Sequence, residues 1–340
     1  MLLIDGSEGE GGGQVLRTAL GLSLVTGKEF RIVRIRGGRE RPGLLRQHLT
    51  GVQAAAKLGN AEVEGAELGS MELRFRPRAL VSGDFEFSIG TAGSTTLVLQ
   101  AVLPALLRAT APITIAVEGG THNGLAPPFE FLERSLLPIL TRLGAKLEVA
   151  LIRPGFEPAG GGRIEVKVTP SPLGSLELVT RGKLLRREAK AVVASIPLKV
   201  ANRELGVVRE ELAFTDAEIR AEEITAPSPG NAVTLTLEYE QVTDVFVGLG
   251  APGIMAEKVA RRAAGEVKRS LRTDAPVGLH LADQLIVPLA VAKGGVFRTV
   301  EPTPHTRTQV ELVPRFLPVK IEATPEAQNA STWRIRVAPI

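Results

Sequence analysis

The chain has 340 residues, 44% of them hydrophobic and 23% charged, with 41 basic and 37 acidic side chains and a formal charge of +4. That is globular composition, long enough for roughly two to three domains. The weak basic excess excludes a histone-like wrapper of polyanions and leaves room for a local basic patch. With no cysteine, disulfides, thiolate metal sites and cysteine nucleophiles are excluded.

The N-terminus carries Asp5, Glu8 and Glu10 and lacks the basic and apolar regions of a secretory signal. No apolar run approaches the length of a membrane-spanning helix, so a soluble, cytoplasmic protein without membrane contact is expected. Gly11 to Gly38 opens on glycine, runs through an apolar helical stretch, continues into a strand with Phe30, Ile32, Val33 and Ile35, and ends on Gly-Gly. Gly93 to Gly120 repeats the plan without a gap, with Ile113, Ile115 and Val117 in the strand. A second helix follows each: Leu45, His48, Leu49 and Val52 up to Gly59, then Phe129, Leu132, Leu136, Ile139 and Leu143 up to Gly144. Both have helical spacing and a glycine stop. Strand pairs including MELRFRP and RIEVKV come next.

A third copy runs from Leu281-Ala282-Asp283-Gln284 through Gly294-Gly295, the strand Val296 to Val300, Pro302-Thr303-Pro304-His305 and a helix to Phe316. The predicted fold is α/β (α+β): three β-α-β-α-β-β repeats, about 1–82, 83–181 and 277–340, forming one large domain. Residues 182–276 break the pattern and predict a small inserted α/β domain, with a last helix from about Met255 to Leu271. Met255, Val259, Ala263, Val267 and Leu271 make its apolar stripe, and its basic residues are read as a solvated face before an RNA contact.

Turns before helices present free N–H groups and suit anions. Glu10-Gly11-Gly12-Gly13-Gln14 is such a turn, but it is neither a Walker loop nor GxGxxG, and a tight strand-to-helix turn explains it equally well. Six arginines, Arg31, Arg34, Arg36, Arg39, Arg41 and Arg46, stand with the single acid Glu40 in a short stretch. Their forks suit phosphates, which makes Arg36, Arg39 and Arg46 candidate phosphate contacts; balancing by distant acids is the competing explanation. All four histidines, His48, His122, His280 and His305, fall in repeat turns or helix starts. They do not have zinc spacing. Without cysteine, histidine is the readiest nucleophile near neutral pH, and a structural role for each stands at even odds.

The segments GEGGGQVLRTALGLSLVTG, RGGRERPGLLRQHLTGVQAAAKL, EGAELGS, GTAGSTTLVLQAVLPALL, GGTHNGLAPP, GFEPAGGG, HLADQL and EPTPHTRTQVELVPRFLPV together resemble the RNA 3'-terminal phosphate cyclase family over nearly the whole chain. The resemblance implies three repeats with an insert and a ligase-type use of ATP with a divalent metal, Mg or Mn. It implies a histidine–AMP intermediate, transfer of AMP to an RNA 3'-phosphate, and attack by the 2'-hydroxyl to leave a 2',3'-cyclic phosphate. By motif, His305 matches the nucleophile. His280, Leu281, Ala282, Asp283, Gln284 and Gln100 match ATP-binding positions, Arg17, Gln47 and Pro127 match positions near the nucleotide, and Glu10 matches a metal-side acid. The expected partner is RNA with a 3'-terminal phosphate; a homodimer is left open, as is contact between the insert and RNA.

Where many members have His-x-x-Thr-Asn, this chain has His305-Thr306-Arg307-Thr308-Gln309, so added charge beside the site and altered tuning are expected. An enolpyruvyl-type transferase on the same repeat, a non-catalytic ribosome-assembly relative and a plain RNA-binding module are the alternatives. His305 opposes the second; low aromatic content (4%) and weak charge oppose the third.

Overall fold

The structure, a computed structural model, describes residues 1–326 and 329–340. The first unit runs β1 (Leu2–Asp5), α1 (Gly13–Thr26), β2 (Phe30–Val33), α2 (Arg46–Leu58), β3 (Glu62–Glu64) and β4 (Leu73–Arg76). β1 and β2 are parallel, so a crossover helix must join them, and α1 does so. β4 lies antiparallel to both β2 and β3, giving the sheet order β1-β2-β4-β3.

The second unit repeats this topology. It consists of β5 (Gly83–Ser88), α3 (Thr95–Leu106), β6 (Ile113–Gly119), a helix α4 over residues 129–142 with a π turn at Leu132–Leu136, β7 (Lys146–Arg153) and β8 (Gly162–Thr169). Its order is β5-β6-β8-β7.

In the third unit the sequence reading needs a correction. A short strand, β9 (Leu176–Leu178), pairs in parallel with a strand far downstream in the chain, Gly295 lying opposite Leu176. The third sheet therefore takes its first strand from the segment assigned to the second repeat. The intervening chain enters after that strand, within the third unit and not ahead of it. A three-residue strand has too little periodicity to be seen in sequence.

The intervening segment forms β10 (Leu184–Ala194), α5 (Lys199–Leu212), β11 (Ile219–Glu223), β12 (Gly230–Tyr239), β13 (Thr243–Leu249) and α6 (Ala256–Ser270), with its own sheet ordered β11-β10-β12-β13. On α6, Val259, Ala263 and Val267 are buried as the stripe predicts, but Met255 and Leu271 flank the helix and are exposed. The third unit then resumes with α7 (Leu279–Val291), β14 (Gly295–Val300), α8 (Pro304–Phe316), β15 (Val319–Glu326) and β16 (Asn329–Pro339). Its order, β9-β14-β16-β15, repeats that of the first two sheets.

The leading helices α1, α3 and α7 bury residues on nearly every side, whereas the second helices α2 and α8 are amphipathic. A helix apolar all round belongs in a core, and the leading helices form the centre of the large unit. Close approach between α1 and α3 requires a residue without a side chain: a Cβ on Gly21 would lie 2.6 Å from the Pro104 ring. Phe30 stacks on Phe75 and meets Phe316 edge-on, joining the first sheet to α8.

The insert is tied to the large unit by polar contacts from α4. Arg134 donates to Glu188 and Thr236, each at 3.0 Å, and Ser135 donates to the Thr243 carbonyl at 2.6 Å. Among the described residues no helix is long and apolar enough to cross a membrane.

Candidate active site

The site gathers where the N-terminal ends of α1 and α7 meet the start of α8. Thr303 caps α8 by accepting from the Thr306 N–H at 3.2 Å, and Pro304 opens the helix. His305 follows in the first turn, with its side chain 47% exposed. Its Nδ1 lies 3.0 Å from Oε1 of Gln14, a side chain 4% exposed on the first turn of α1. The Gln14 Nε2 donates to Asp283 Oδ2 at 2.7 Å, and Gln284 Nε2 donates to the same oxygen at 2.8 Å. Three segments far apart in sequence thus converge on one chain of hydrogen bonds, buried at Gln14 and Asp283 and opening to solvent at His305.

Glu10 sits beside this chain. Its N–H donates to Thr308 Oγ1 at 3.0 Å, its Oε1 accepts from the Gln14 N–H at 3.1 Å and lies 3.9 Å from His305 Nδ1, and its Oε2 is paired with Arg39. Burial pushes the Asp283 carboxyl up to about 7 against the opposing pull of its amide donors and Arg17. Burial brings Arg17 down to about 10, and its Nε is buried without a hydrogen-bond partner. Burial, and then the charge of Arg17, holds His48 down at about 3, so it is neutral at pH 7. His305 is also lowered, first by burial, with Glu10 opposing. His280 is lowered by burial and then by His305.

A cleft of about 570 Å³ opens beside them; Glu10 and Arg39 are not among the residues that line it. Arg17, Gln100, Pro127, His280, Asp283, Gln284 and His305, all expected at a nucleotide, line it together. Leu281 and Ala282 do not; both are buried in the core of α7. Gln47 lies outside as well. It faces a neighbouring cleft of about 600 Å³, across the segment 123–126 that borders both. There its Oε1 accepts from the Ser94 N–H at 2.9 Å, at the start of α3.

The arginine cluster divides. Arg31 pairs with Glu72 and Arg34 with Asp5, as the balancing explanation expects. Arg36 donates to the carbonyls of Arg41 and Gly43 at 2.6 and 2.9 Å, Arg39 faces Glu10, and Arg46 is exposed on the first turn of α2. His122 proves structural: it bonds Thr121 and Glu130 at 2.8 and 3.0 Å and stacks on Phe156. The charge expected beside the site from Arg307 goes elsewhere. Its guanidinium lies over Trp333 at 5.5 Å and pairs with Glu301 at 3.5 Å, because the strand carrying Trp333 offers a ring face. Gln309 is buried against Thr18, 2.9 Å from its hydroxyl.

Two sets of groups escaped the sequence reading. Gln14 is one; a buried polar residue in the first turn of a largely apolar helix was the available signal. The other is the wall that the insert gives the cleft, with Phe246 on β13 and Arg262 and Glu266 on α6. Among the described residues no three His, Asp or Glu side chains group as a metal cage. Glu10 offers a single carboxylate, held by a half-exposed arginine that can exchange. Such a donor suits a cation that keeps most of its ligands from phosphates and water.

The family model described as RNA 3'-terminal phosphate cyclase matches residues 8–323. The chain belongs to the RNA 3'-terminal phosphate cyclase family. A relative from Koribacter versatilis (strain Ellin345) is 48% identical over 97% of this chain and 94% of its own length. One from Ralstonia nicotianae is 49% identical over 98% of this chain and 96% of its own length. Both are named RNA 3'-terminal phosphate cyclase. The mixed α/β architecture with three equivalent sheets is the one that the resemblance led us to expect.

Proposed function

We propose that this protein converts the 3'-terminal phosphate of RNA to a 2',3'-cyclic phosphodiester at the expense of ATP, with His305 carrying AMP between the two substrates. The observation that carries this reading is the placement of His305 in the cleft, its Nδ1 occupied by Gln14 and its other nitrogen without a hydrogen bond among the described residues. ATP is assigned to the cleft lined by Arg17, Gln100, Pro127, His280, Asp283 and Gln284. The large unit, 1–181 with 277–340, is read as the catalytic domain and 182–276 as a small domain that walls the cleft. The expected setting is the cytoplasm.

The steps follow from the chemistry. The Nε2 lone pair attacks the α-phosphorus, the bond to the bridging oxygen breaks, and pyrophosphate leaves with the electron pair. The RNA 3'-phosphate then attacks the same phosphorus, and the pair returns to Nε2. The terminal phosphate now carries AMP as a leaving group. The 2'-hydroxyl attacks it, losing its proton as the ring closes, and AMP departs. A phosphate monoester carries nearly two negative charges and no good leaving group, which is why activation must come first.

Arg17 is placed to offset charge on the triphosphate inside a site of low dielectric. The N-terminal turn of α8 adds free N–H groups. A divalent cation would be held at Glu10 and would neutralise phosphate charge. Arg36, Arg39 and Arg46 are assigned to the approach of the RNA end.

The test is incubation with ATP labelled in the α-phosphate and RNA ending in a 3'-phosphate. An acid-labile labelled protein and an RNA end resistant to phosphatase are the expected results. A phosphatase-sensitive end and an unlabelled protein would overturn the reading.

A further inference from the structure

Gln14 touches His305 and Asp283 through its side chain and Glu10 through its backbone N–H. An amide can be turned either way, and its surroundings decide which. Here Nε2 points at Asp283 Oδ2, an oxygen that also accepts from Gln284 Nε2. A carboxylate oxygen without a proton can only accept, so with Oδ2 of Asp283 unprotonated the Gln14 amide takes its nitrogen toward Asp283 and its oxygen toward His305. An amide oxygen only accepts. It therefore requires the proton of a neutral imidazole to reside on Nδ1.

We infer that Gln14 is a positioning residue for nucleotidyl transfer, an amide held by Asp283 that fixes the tautomer and ring orientation of His305. The inference rests on the reading of His305 as the adenylated group. The orientation leaves Nε2 with its lone pair and directs it away from α1. Gln14 is uncharged, and this matters chemically. When Nε2 bonds to phosphorus the ring becomes cationic and keeps its Nδ1 proton. When the N–P bond breaks, the ring returns to the starting tautomer with no proton gained or lost. A neutral acceptor supports the cationic ring less than a carboxylate at the same distance, and AMP stays ready to leave. The nearest carboxylate, Glu10, stands off at 3.9 Å. Gln14 is only 4% exposed, which limits competition from solvent for its amide.

The experiment combines Gln14→Met, similar in length and without hydrogen bonds, with nitrogen NMR of histidine-labelled protein; His305→Ala assigns the His305 signal. In the wild type, His305 is expected as the Nδ1–H tautomer. In Gln14→Met that signal should move toward a mixture of tautomers. Adduct formation at saturating ATP should slow by about 100-fold, the usual cost of a misplaced reacting group. The ATP concentration for half-saturation should stay within about threefold, as for a loss confined to the chemical step. Closure of a pre-adenylated RNA end should persist, which a collapsed site would not allow.

An Nε2–H tautomer in the wild type overturns the inference. So does a Gln14→Met protein with unchanged tautomer or unslowed adduct formation. If Gln14→Met does not fold, the wild-type tautomer alone decides. A wild type that forms no adduct removes the functional reading together with this one, whereas a wild-type adduct with an unslowed variant removes the inference alone.

Discussion

Arg39 holds one oxygen of the Glu10 carboxylate while the other oxygen accepts the N–H of Gln14, so a single acid joins the arginine-rich turn to the first turn of α1. The carboxylate is 4% exposed and its arginine 46%. The buried partner is fixed and the exposed one can leave. A metal–triphosphate complex arriving in the cleft would compete for Oε2 and release Arg39 toward phosphate.

Glu10→Ala should therefore slow adduct formation, and raising the divalent metal concentration should restore part of the rate. The measurement is rate against metal concentration for both proteins. A metal dependence identical to wild type would leave Glu10 only its contacts with Gln14 and Arg39.

His305→Ala should form no labelled protein and no ATP-driven cyclic end. The side chain is 47% exposed at a helix start and fills little core, so thermal unfolding should barely change. Given an RNA end already carrying AMP, the variant should still close the ring, because that step needs the 2'-hydroxyl and not the nucleophile. Failure on this substrate would give His305 a second task as acid or base. Labelled protein from the variant would move the AMP elsewhere.

RNA binding should be directed to the end and modest. Since Arg31 and Arg34 are neutralised by Glu72 and Asp5, few arginines of the cluster remain for phosphates. The slope of log affinity against log salt should correspond to roughly two to four contacts. Arg46→Ala should lower that slope by about one. A slope near ten, or equal affinity for RNA with and without a 3'-phosphate, would contradict this assignment.

Glu204 supplies a pH test remote from the cleft. It is fully buried on α5, accepts from Asn231 Nδ2 at 2.5 Å, and its other oxygen has no partner. Burial pushes its carboxyl up to about 8. The unfolded chain releases this proton near the ordinary glutamate pKa of 4.5 and the folded chain only near 8. Between those values the folded state binds more protons, so stability falls as pH rises. Glu204→Gln keeps the acceptor for Asn231 and removes the titration. It should be more stable than the wild type at pH 9 and nearly equal to it at pH 5 by thermal unfolding. A constant difference across that range would mean that Glu204 does not titrate on unfolding.

The repeats were legible because each unit is punctuated by glycine at the same places and alternates helix with strand in the same order. The helix periodicity of the insert was equally plain. What escaped depended on partners distant in sequence. β9 is recognisable only by its pairing with β14, and the direction of Arg307 is set by Trp333 on the last strand. Most of the residues expected at the nucleotide do line one cleft. Gln47 does not, because its amide is committed to Ser94. The contacts of Gln14 arise only from the convergence of α1, α7 and α8, since hydrogen bonds between helices leave no mark on the periodicity of any one of them.

The third sheet also constrains the order in which the molecule can assemble. β9 and β14 must meet across the whole insert, a loop closure that costs chain entropy before any contact rewards it. A folded insert brings the two ends of that loop together in advance. Arg181, just ahead of the insert, lies over the Tyr239 ring and donates to the carbonyl of Ala275 just beyond it, fastening the entering and leaving strands side by side. The insert thus doubles as an internal splint: lesions that unfold it should leave β9 without its neighbour and slow the maturation of the large unit, even when they lie far from the cleft.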